Sequence, residues 1–376
     1  MKRQIWFCAS VVLFPLGCTH IGPGTIVADR VAYDEAIASS WKEQTLLNIV
    51  KLRYFDTPFF TDVAQIVSGY SVGAQANPTP GFNNAYFPMG SFGDRLTGSL
   101  PLQAAYIDRP TVSYAPQTRP DFIRNLAVPL PPTAVLYLMQ AGYPVDLVFD
   151  LTVEAINGIP GRSVSGGQVR PASPEYQRIV QILRKGQLSG SVGMRIEVAK
   201  DKKESLVMFF RDPDIDPALV AELAEARKLM RIDSNQRDVH VVFGATRGGP
   251  NEITMATRSI YRVLSQLAVS VQVPDVHLTE GRAPPIGGDA ALSRPASSYG
   301  LSPPRNAIEE RPRFMVFSGC NKPKDCFTAT FYRGHWFWID DRDAESKRTM
   351  AYLMVLLALA DTGTKEPVPF LTIQTN

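Results

Sequence analysis

The sequence predicts an α+β fold, built on a mostly antiparallel sheet with flanking helices. Three features carry that expectation. Segments rich in β-branched and aromatic residues come in pairs joined by short polar turns: 189–199 and 205–210 flank Lys200-Asp201-Lys202-Lys203-Glu204, and 327–332 and 335–339 flank Arg333-Gly334. Segments of helical period lie between such pairs. No regular strand–helix–strand alternation, the mark of a parallel doubly wound sheet, runs through the chain.

The first periodic segment covers 33–54, with Ile37, Trp41, Leu47, Val50 and Tyr54 near one face and Asp34, Glu35, Lys42, Glu43, Asn48 and Lys51 elsewhere. That spacing predicts an amphipathic helix. After Pro58, the composition of 59–72 predicts a strand entering a sheet. Residues 73–99, rich in Gly, Asn, Pro, Phe and Ser, predict a long loop or irregular hairpin, followed by a second strand at 100–114. Short helices are expected at 119–125 and 133–141, on either side of Pro129-Leu130-Pro131-Pro132, and a strand at 147–157. Residues 173–185 predict a helix with Ser173 as its cap and Pro174 at the first helical position.

Further helices are expected at 217–230 and 254–268, the latter with Ile260, Val263, Leu264 and Leu267 on its apolar side, and a buried strand at 239–243. Residues 275–311, rich in Pro and Gly and without periodicity, are expected to be a linker or surface loop. Three short strands at 314–318, 327–332 and 335–339, a helix at 344–359 and an edge strand at 370–373 complete the expected elements. The organisation is then a signal at 1–17, a tether at 18–32, a main α+β domain at 33–274, the Pro/Gly-rich segment at 275–311, and a C-terminal hairpin and helix, 312–376, packing on the main domain.

The N-terminus carries Lys2 and Arg3 ahead of the apolar run Ile5-Trp6-Phe7-Cys8-Ala9-Ser10-Val11-Val12-Leu13-Phe14. This is the layout of a cleaved secretory signal, and the run is shorter than the ~20 residues a spanning helix needs. Pro15-Leu16-Gly17-Cys18 resembles the lipobox of bacterial lipoproteins. The resemblance implies diacylglycerol on the Cys18 thiol, cleavage just before it and acylation of the new amine, including palmitate. Several acyl chains on one residue exceed the two-signal requirement for stable anchoring. Thr19, where inner-membrane sorting signals carry Asp, implies the outer membrane, facing the periplasm. An ordinary signal-peptidase cut and an uncleaved anchor are the alternatives.

The 376-residue chain carries 39 basic and 36 acidic side chains. Losing 1–17 removes Lys2 and Arg3, which leaves 37 against 36, a net charge of +1. Such an even balance offers no concentrated basic footprint for nucleic acid. Beyond Cys8 and Cys18 only Cys320 and Cys326 remain, and in an oxidising compartment they can close a small loop as a disulfide. Zinc would need four ligands, and His20, His240, His277 and His335 lie at no i+3 or i+4 spacing from one another. No metal or cofactor is expected.

Candidate chemistry concentrates in His335-Trp336-Phe337-Trp338-Ile339-Asp340-Asp341-Arg342-Asp343. Paired carboxylates at Asp340, Asp341 and Asp343 offer acid–base work, and Trp336 and Trp338 offer faces for sugar rings. The competing reading is structural: alternation places the two tryptophans on one strand face, and carboxylates at a helix start cap its N–H groups, with Lys347 and Arg348 as ion partners. No G-x-S-x-G elbow is present, and Gly244-Ala245-Thr246-Arg247-Gly248-Gly249-Pro250 lacks the Lys-Ser/Thr ending of a phosphate loop. His240 reads as a sheet histidine. Asn48, Lys51, Arg53, Asp146 and Asn157 sit in apolar surroundings and, if buried, must be hydrogen-bonded or ion-paired.

Three stretches together resemble a family of uncharacterised bacterial lipoproteins: Ser40-Trp41 through Leu46-Leu47-Asn48-Ile49-Val50-Lys51-Leu52-Arg53-Tyr54 with Pro58-Phe59; Ala141-Gly142-Tyr143-Pro144-Val145-Asp146-Leu147 through Ile156-Asn157-Gly158; and Trp338-Ile339-Asp340-Asp341-Arg342-Asp343 through Ser346-Lys347-Arg348-Thr349. The resemblance implies localisation and no mechanism. The expected function is that of a membrane-tethered envelope protein working through protein contacts, as accessory or scaffold of an export, assembly or surface-polymer system. The alternative is a cell-wall or polysaccharide protein using the segment from Trp336 to Asp343.

Overall fold

A computed structural model describes residues 21–67, 70–76, 102–108, 111–165, 168–198, 204–211, 216–233, 236–249, 251–284 and 312–360. They form an α+β fold with mostly antiparallel sheets. The expected signal, the lipidation site Cys18, the segment at 77–101 and the edge strand at 370–373 lie outside the described residues.

Helix α1, Ile21–Arg53, is longer than the periodic segment and takes in most of the stretch expected as a tether. Its last third is core: Leu46, Ile49 and Val50 are fully buried. Lys51 and Arg53 in the final turn complement the negative end of the helix dipole. The chain reverses at Phe55, whose φ of 56° breaks the helix. It then returns alongside α1 into a two-stranded ribbon of β1 (Thr61–Val67) and β4 (Thr111–Pro116), while β2 (Tyr70–Ala76) and β3 (Leu102–Asp108) form a second two-stranded sheet. β1 pairs with β4 and β2 with β3, both antiparallel.

After helices α2 (Pro120–Ala127) and α3 (Pro132–Gln140), the structure departs from expectation. The expected strand at 147–157 is helix α4, Val145–Thr152, followed by a short strand β5, Val153–Ile156. Val145, Leu147, Val148, Phe149, Leu151 and Thr152 are all buried, so this helix is apolar on nearly every side. Only Asp146 and Asp150 interrupt that apolar run, and so short and mostly apolar a segment does not by its period alone separate helix from strand. β5 turns through Asn157 (φ 49°) and Gly158 (φ 79°) into β6, Ile159–Pro160, the left-handed pair that a tight hairpin requires. A small pair, β7 (Ser163–Ser165) with β8 (Gln168–Arg170), precedes helix α5, Pro174–Ser189. Ser173 caps α5 as expected, its Oγ accepting from Tyr176 N at 3.2 Å.

β9 (Val192–Val198) and β10 (Glu204–Phe210) form the expected hairpin, and α6 (Pro217–Met230) starts from the Asp216 cap. β11 (Asp238–Phe243) is then joined by β12, Glu252–Thr257, where a helix from 254 was expected. The helix, α7, covers only Ile260–Ala268 and is capped by Ser259. The stretch 252–257 lies parallel to β11 and antiparallel to β5, completing a six-stranded sheet of order β6-β5-β12-β11-β10-β9. Its residues are buried almost continuously, which erases the alternation by which a strand declares itself.

The first part of the segment expected as linker is structured as well. Helix α8, Asp275–Thr279, buries His277, and Ala283 beyond it is buried too. The C-terminal unit has β13 (Phe317–Gly319), β14 (Cys326–Tyr332) and β15 (His335–Asp340) in the order β13-β15-β14, then helix α9, Ala344–Ala360. Arg333 and Gly334 make the expected turn with φ of 47° and 83°. β14 lies against α1, and Phe337, Ile339, Met350, Tyr352, Leu353 and Leu356 join the same core as the main sheet.

One face of the large sheet is open. Arg195, Glu197 and Asp238 are ion-paired there, and His240 lies exposed with Nδ1 2.9 Å from Ser205 Oγ, the sheet histidine expected. Strand β11 accordingly alternates exposed and buried residues between Asp238 and Val241.

Candidate functional site

The foot of the ribbon is fixed by a polar side chain inside an apolar helix face. Asn48, fully buried on α1, donates Nδ2 to Phe59 O and accepts Phe59 N at Oδ1, both at 2.9 Å. One turn earlier Gln44 hydrogen-bonds Thr61 Oγ1. The returning chain 56–60, the end of β4, helix α2 and helix α7 thereby enclose an open cleft of about 780 Å³. Phe55, Phe59, Ile123 and Tyr261 face it while 67, 50, 55 and 44 % exposed. A polar rim of Asp56, Gln117 and Arg262 surrounds them. A size of several hundred Å³, an apolar wall and a few polar groups at the edge are the usual attributes of a ligand or peptide site.

Behind this cleft lies a polar cluster that the sequence did not announce, assembled from α1, α8 and the β14–β15 turn. Tyr54 Oη is 2.7 Å from His277 Nδ1, and the His277 and His335 rings meet edge to face at 4.8 Å. Arg333 lies over the rings of Tyr54 and Tyr332, 5.1 and 5.4 Å from their centroids. Arg333 Nη2 also donates to Asp56 Oδ2 at 3.1 Å, and Tyr332 donates its hydroxyl to the same oxygen. These bonds from Tyr332 and Arg333 hold the Asp56 carboxyl below the usual carboxylate range. Burial pushes the Tyr54 phenol up to about 12, so the hydroxyl keeps its proton, and the tautomer of His277 sets which of the two groups donates. Asp56 belongs to both the cluster and the cleft rim. The cluster therefore locks the C-terminal sheet to the segment that forms the cleft wall.

His277 gives this lock a pH dependence. Desolvation, then the neighbouring His335, pulls its pKa below the ordinary histidine value, so folding favours the neutral ring. The unfolded chain thus binds more protons, and stability is full above the unfolded value of about 6.5 and falls as pH drops through it towards the folded value. Thermal melting at pH 8 and pH 5 should show a larger acid loss for the native chain than for His277→Gln. Equal losses would remove His277 from that role.

The residues singled out in the sequence are placed as follows. Trp336 and Trp338 share one half-buried face of β15, where Trp338 packs on Phe317 (6.1 Å) and closely over Gly319. Trp336 packs on Phe331 (5.4 Å) with Lys322 over its ring at 5.1 Å. The carboxylates have local partners. Asp340 Oδ1 accepts Arg342 N at 2.8 Å, Asp341 pairs with Lys347 at 2.8 Å, and Asp343 caps α9 by accepting Ser346 Oγ (2.7 Å) and Ser346 N (3.2 Å). Cys320 is exposed and Cys326 half-buried, both present as thiols in this structure, and burial raises the pKa of Cys326. Among the described residues no three His, Cys, Asp or Glu side chains converge as a metal site requires.

Of the polar residues flagged in apolar surroundings, Lys51 is half-buried, and Asn48, Arg53, Asp146 and Asn157 are bonded. Arg53 donates to Pro284 O at 2.7 Å, Asp146 pairs with Arg313 at 2.7 Å, and Asn157 bridges Met230 O (2.7 Å) and Thr254 N (2.7 Å). The residue missed altogether is Arg258, buried between β12 and α7. Its neighbours in sequence gave no signal, because its partners are backbone carbonyls of Asp150 and Arg162. Comparison with protein-family models, with curated proteins and with solved structures returned no match.

Proposed function

We propose that this chain is a lipid-anchored envelope protein, tethered at Cys18 to the outer membrane on its periplasmic side, that works by holding an apolar segment of a partner protein. The observation that carries this reading is the cleft at the ribbon foot, whose wall presents four large apolar side chains to solvent inside a polar rim. Contiguous apolar surface ringed by polar groups marks interaction sites in water-soluble domains. The signal-like N-terminus, the lipobox-like Leu16-Gly17-Cys18 and the three stretches resembling envelope lipoproteins support the tether. The capping and ion-pair duties of Asp340, Asp341 and Asp343 weigh against the carbohydrate alternative.

The test is crosslinking in intact cells with a photoreactive amino acid in place of Ile123, which is exposed on the cleft wall. The expected result is one discrete adduct, strongly reduced by Phe59→Asp and by Cys18→Ser, with palmitate label recovered on Cys18 of the native chain. An adduct indifferent to Phe59→Asp sinks the cleft as the contact surface. Absence of label sinks the tether.

A further inference from the structure

We propose that Cys320 and Cys326 are a redox-active pair whose disulfide and strand β13 exclude each other, so that oxidation frees β13 and uncovers Trp338. Neither the tether nor the cleft enters this inference.

The register keeps the two sulfurs apart while the sheet is whole. β15 runs in the middle, with β13 on one side and β14 on the other. Gly319, just before Cys320, lies opposite Trp336, whereas Cys326 lies opposite Asp340, four positions further along β15. Four positions amount to ~13 Å along the strands and two strand spacings to ~10 Å across them, which sets the Cα atoms of Gly319 and Cys326 ~16 Å apart. One peptide step of ~3.8 Å brings Cys320 no nearer than ~12 Å. A disulfide holds its two Cα atoms within ~7 Å.

The intervening loop spans that distance over the outer face of the sheet. Phe337 and Ile339 are fully buried in the core, so Trp336 and Trp338 mark the opposite face of β15. Lys322 Nζ sits 5.1 Å from the centroid of the Trp336 ring, and Asp325 pairs with Arg342 at 3.3 Å, just past the other end of the strand. Residues 320–325 therefore cross that face as a strap, with one cysteine at each end.

Only β13 has to move for the sulfurs to meet. Upstream, Met315 N donates to Ser346 Oγ at 2.9 Å, Val316 N donates to Ser270 O at 3.2 Å, and Val316 O accepts Gln272 N at 2.8 Å. Those bonds pin 315–316 to α9 and to the chain after α7. From Val316, four residues reach ~13 Å, enough to carry Cys320 over the outer face of β15 to Cys326. The loss is confined to three residue pairs: Phe317–Trp338, Ser318–Phe337 and Gly319–Trp336. Phe317, 3 % exposed in the sheet, leaves its buried place. Trp338 loses two neighbours, the Phe317 ring at 6.1 Å and the backbone of Gly319, where any Cβ would fall 3.2 Å from the indole. The small loop anticipated from the sequence closes only in that state.

The chemistry is thiol–disulfide exchange with a low-molecular-weight disulfide as the oxidant. Exposed Cys320 attacks it as thiolate, forming a mixed disulfide and releasing one thiol. Cys326, as thiolate, then attacks the Cys320 sulfur and expels the second thiol. The two protein thiols give up two protons and two electrons, and the oxidant is reduced to two thiols. Half-burial and a raised pKa make Cys326 the second to react. Because closure costs the contacts of β13, the bridge reopens more readily than an unstrained structural disulfide.

The test equilibrates the full-length protein in buffers of reduced and oxidised glutathione and reads both the state of each cysteine, by peptide mass, and amide hydrogen exchange. Glutathione should appear on Cys320 first, followed by the Cys320–Cys326 bridge. In the bridged form exchange at 318–320 should quicken at least about tenfold, while 315–316 keep their protection. Cys326→Ser should hold glutathione on Cys320 with native exchange at 318–320. Phe317→Ala should raise the equilibrium constant for bridging at least about tenfold, because it weakens only the state in which Phe317 is packed. Phe317→Leu, a milder change, should shift it the same way and guards against an unfolded alanine variant. A bridge that leaves exchange at 318–320 as slow as in the reduced protein overturns the proposal. So does a bridging constant that neither Phe317 variant moves, or a folded chain that closes no bridge at any glutathione ratio.

Discussion

Arg258→Ala is expected to lower the unfolding free energy by roughly 3 to 5 kcal/mol, the range for truncating a large, fully buried side chain. The guanidinium is one of the largest fully buried side chains. Nη1 donates to Asp150 O at 2.7 Å and Nη2 to Arg162 O. Asp150 lies in the last turn of α4, so its carbonyl belongs to the set a helix cannot satisfy by itself, and the cation sits at the negative end of that helix. Gln266 donates to the same carbonyl at 3.0 Å. Desolvation pulls the arginine pKa down, yet the group stays charged at any physiological pH. Alanine would leave a cavity and strip both carbonyls of their charged donor. Arg258→Met refills most of the volume and none of the hydrogen bonds, so it should recover the cavity share alone. Urea unfolding of the three proteins separates the two contributions; a loss below about 1 kcal/mol for Arg258→Ala would show that water replaces the guanidinium.

Asn48→Ala should destabilise by about 2 kcal/mol and, more tellingly, loosen the ribbon foot. The Asn48 amide satisfies both backbone groups of Phe59 from inside α1, and alanine leaves them facing a helix with nothing to offer. Hydrogen exchange should then quicken in β1 and β4, with the large sheet unaffected. Asn48→Asp keeps the acceptor for Phe59 N but sets a carboxylate against Phe59 O, so it should be at least as damaging. Uniform quickening across all strands would mean that Asn48 supports the core in general and not the cleft and ribbon.

Much of the architecture was legible residue by residue. Ser173-Pro174 opens α5, the β9–β10 pair and the Arg333-Gly334 turn fall where propensity places them, and α6 occupies the expected 217–230. These are local decisions, taken by caps, turn residues and alternation within a few positions. The misassignments share one cause. Residues 252–257, and 145–152 apart from Asp146 and Asp150, are buried on nearly all sides, and a segment with so little solvent face shows little period. Composition misled differently at 275–284, where flanking Pro and Gly obscured a short helix that buries His277.

By itself the sequence determined the fold class, the caps and turns of several elements with a solvent face, and the need for partners at Asn48, Arg53, Asp146 and Asn157. The tertiary structure alone decided which partners those are. Tyr54, Asp56, His277, Tyr332, Arg333 and His335 come from three separated segments, and Arg258 bonds carbonyls about a hundred positions upstream. The physical reason is that a cap or turn is satisfied within one or two helical turns of its own residue. A buried polar group accepts whatever donor or carbonyl the packing of distant elements brings within about 3 Å, and no spacing in the chain records that meeting.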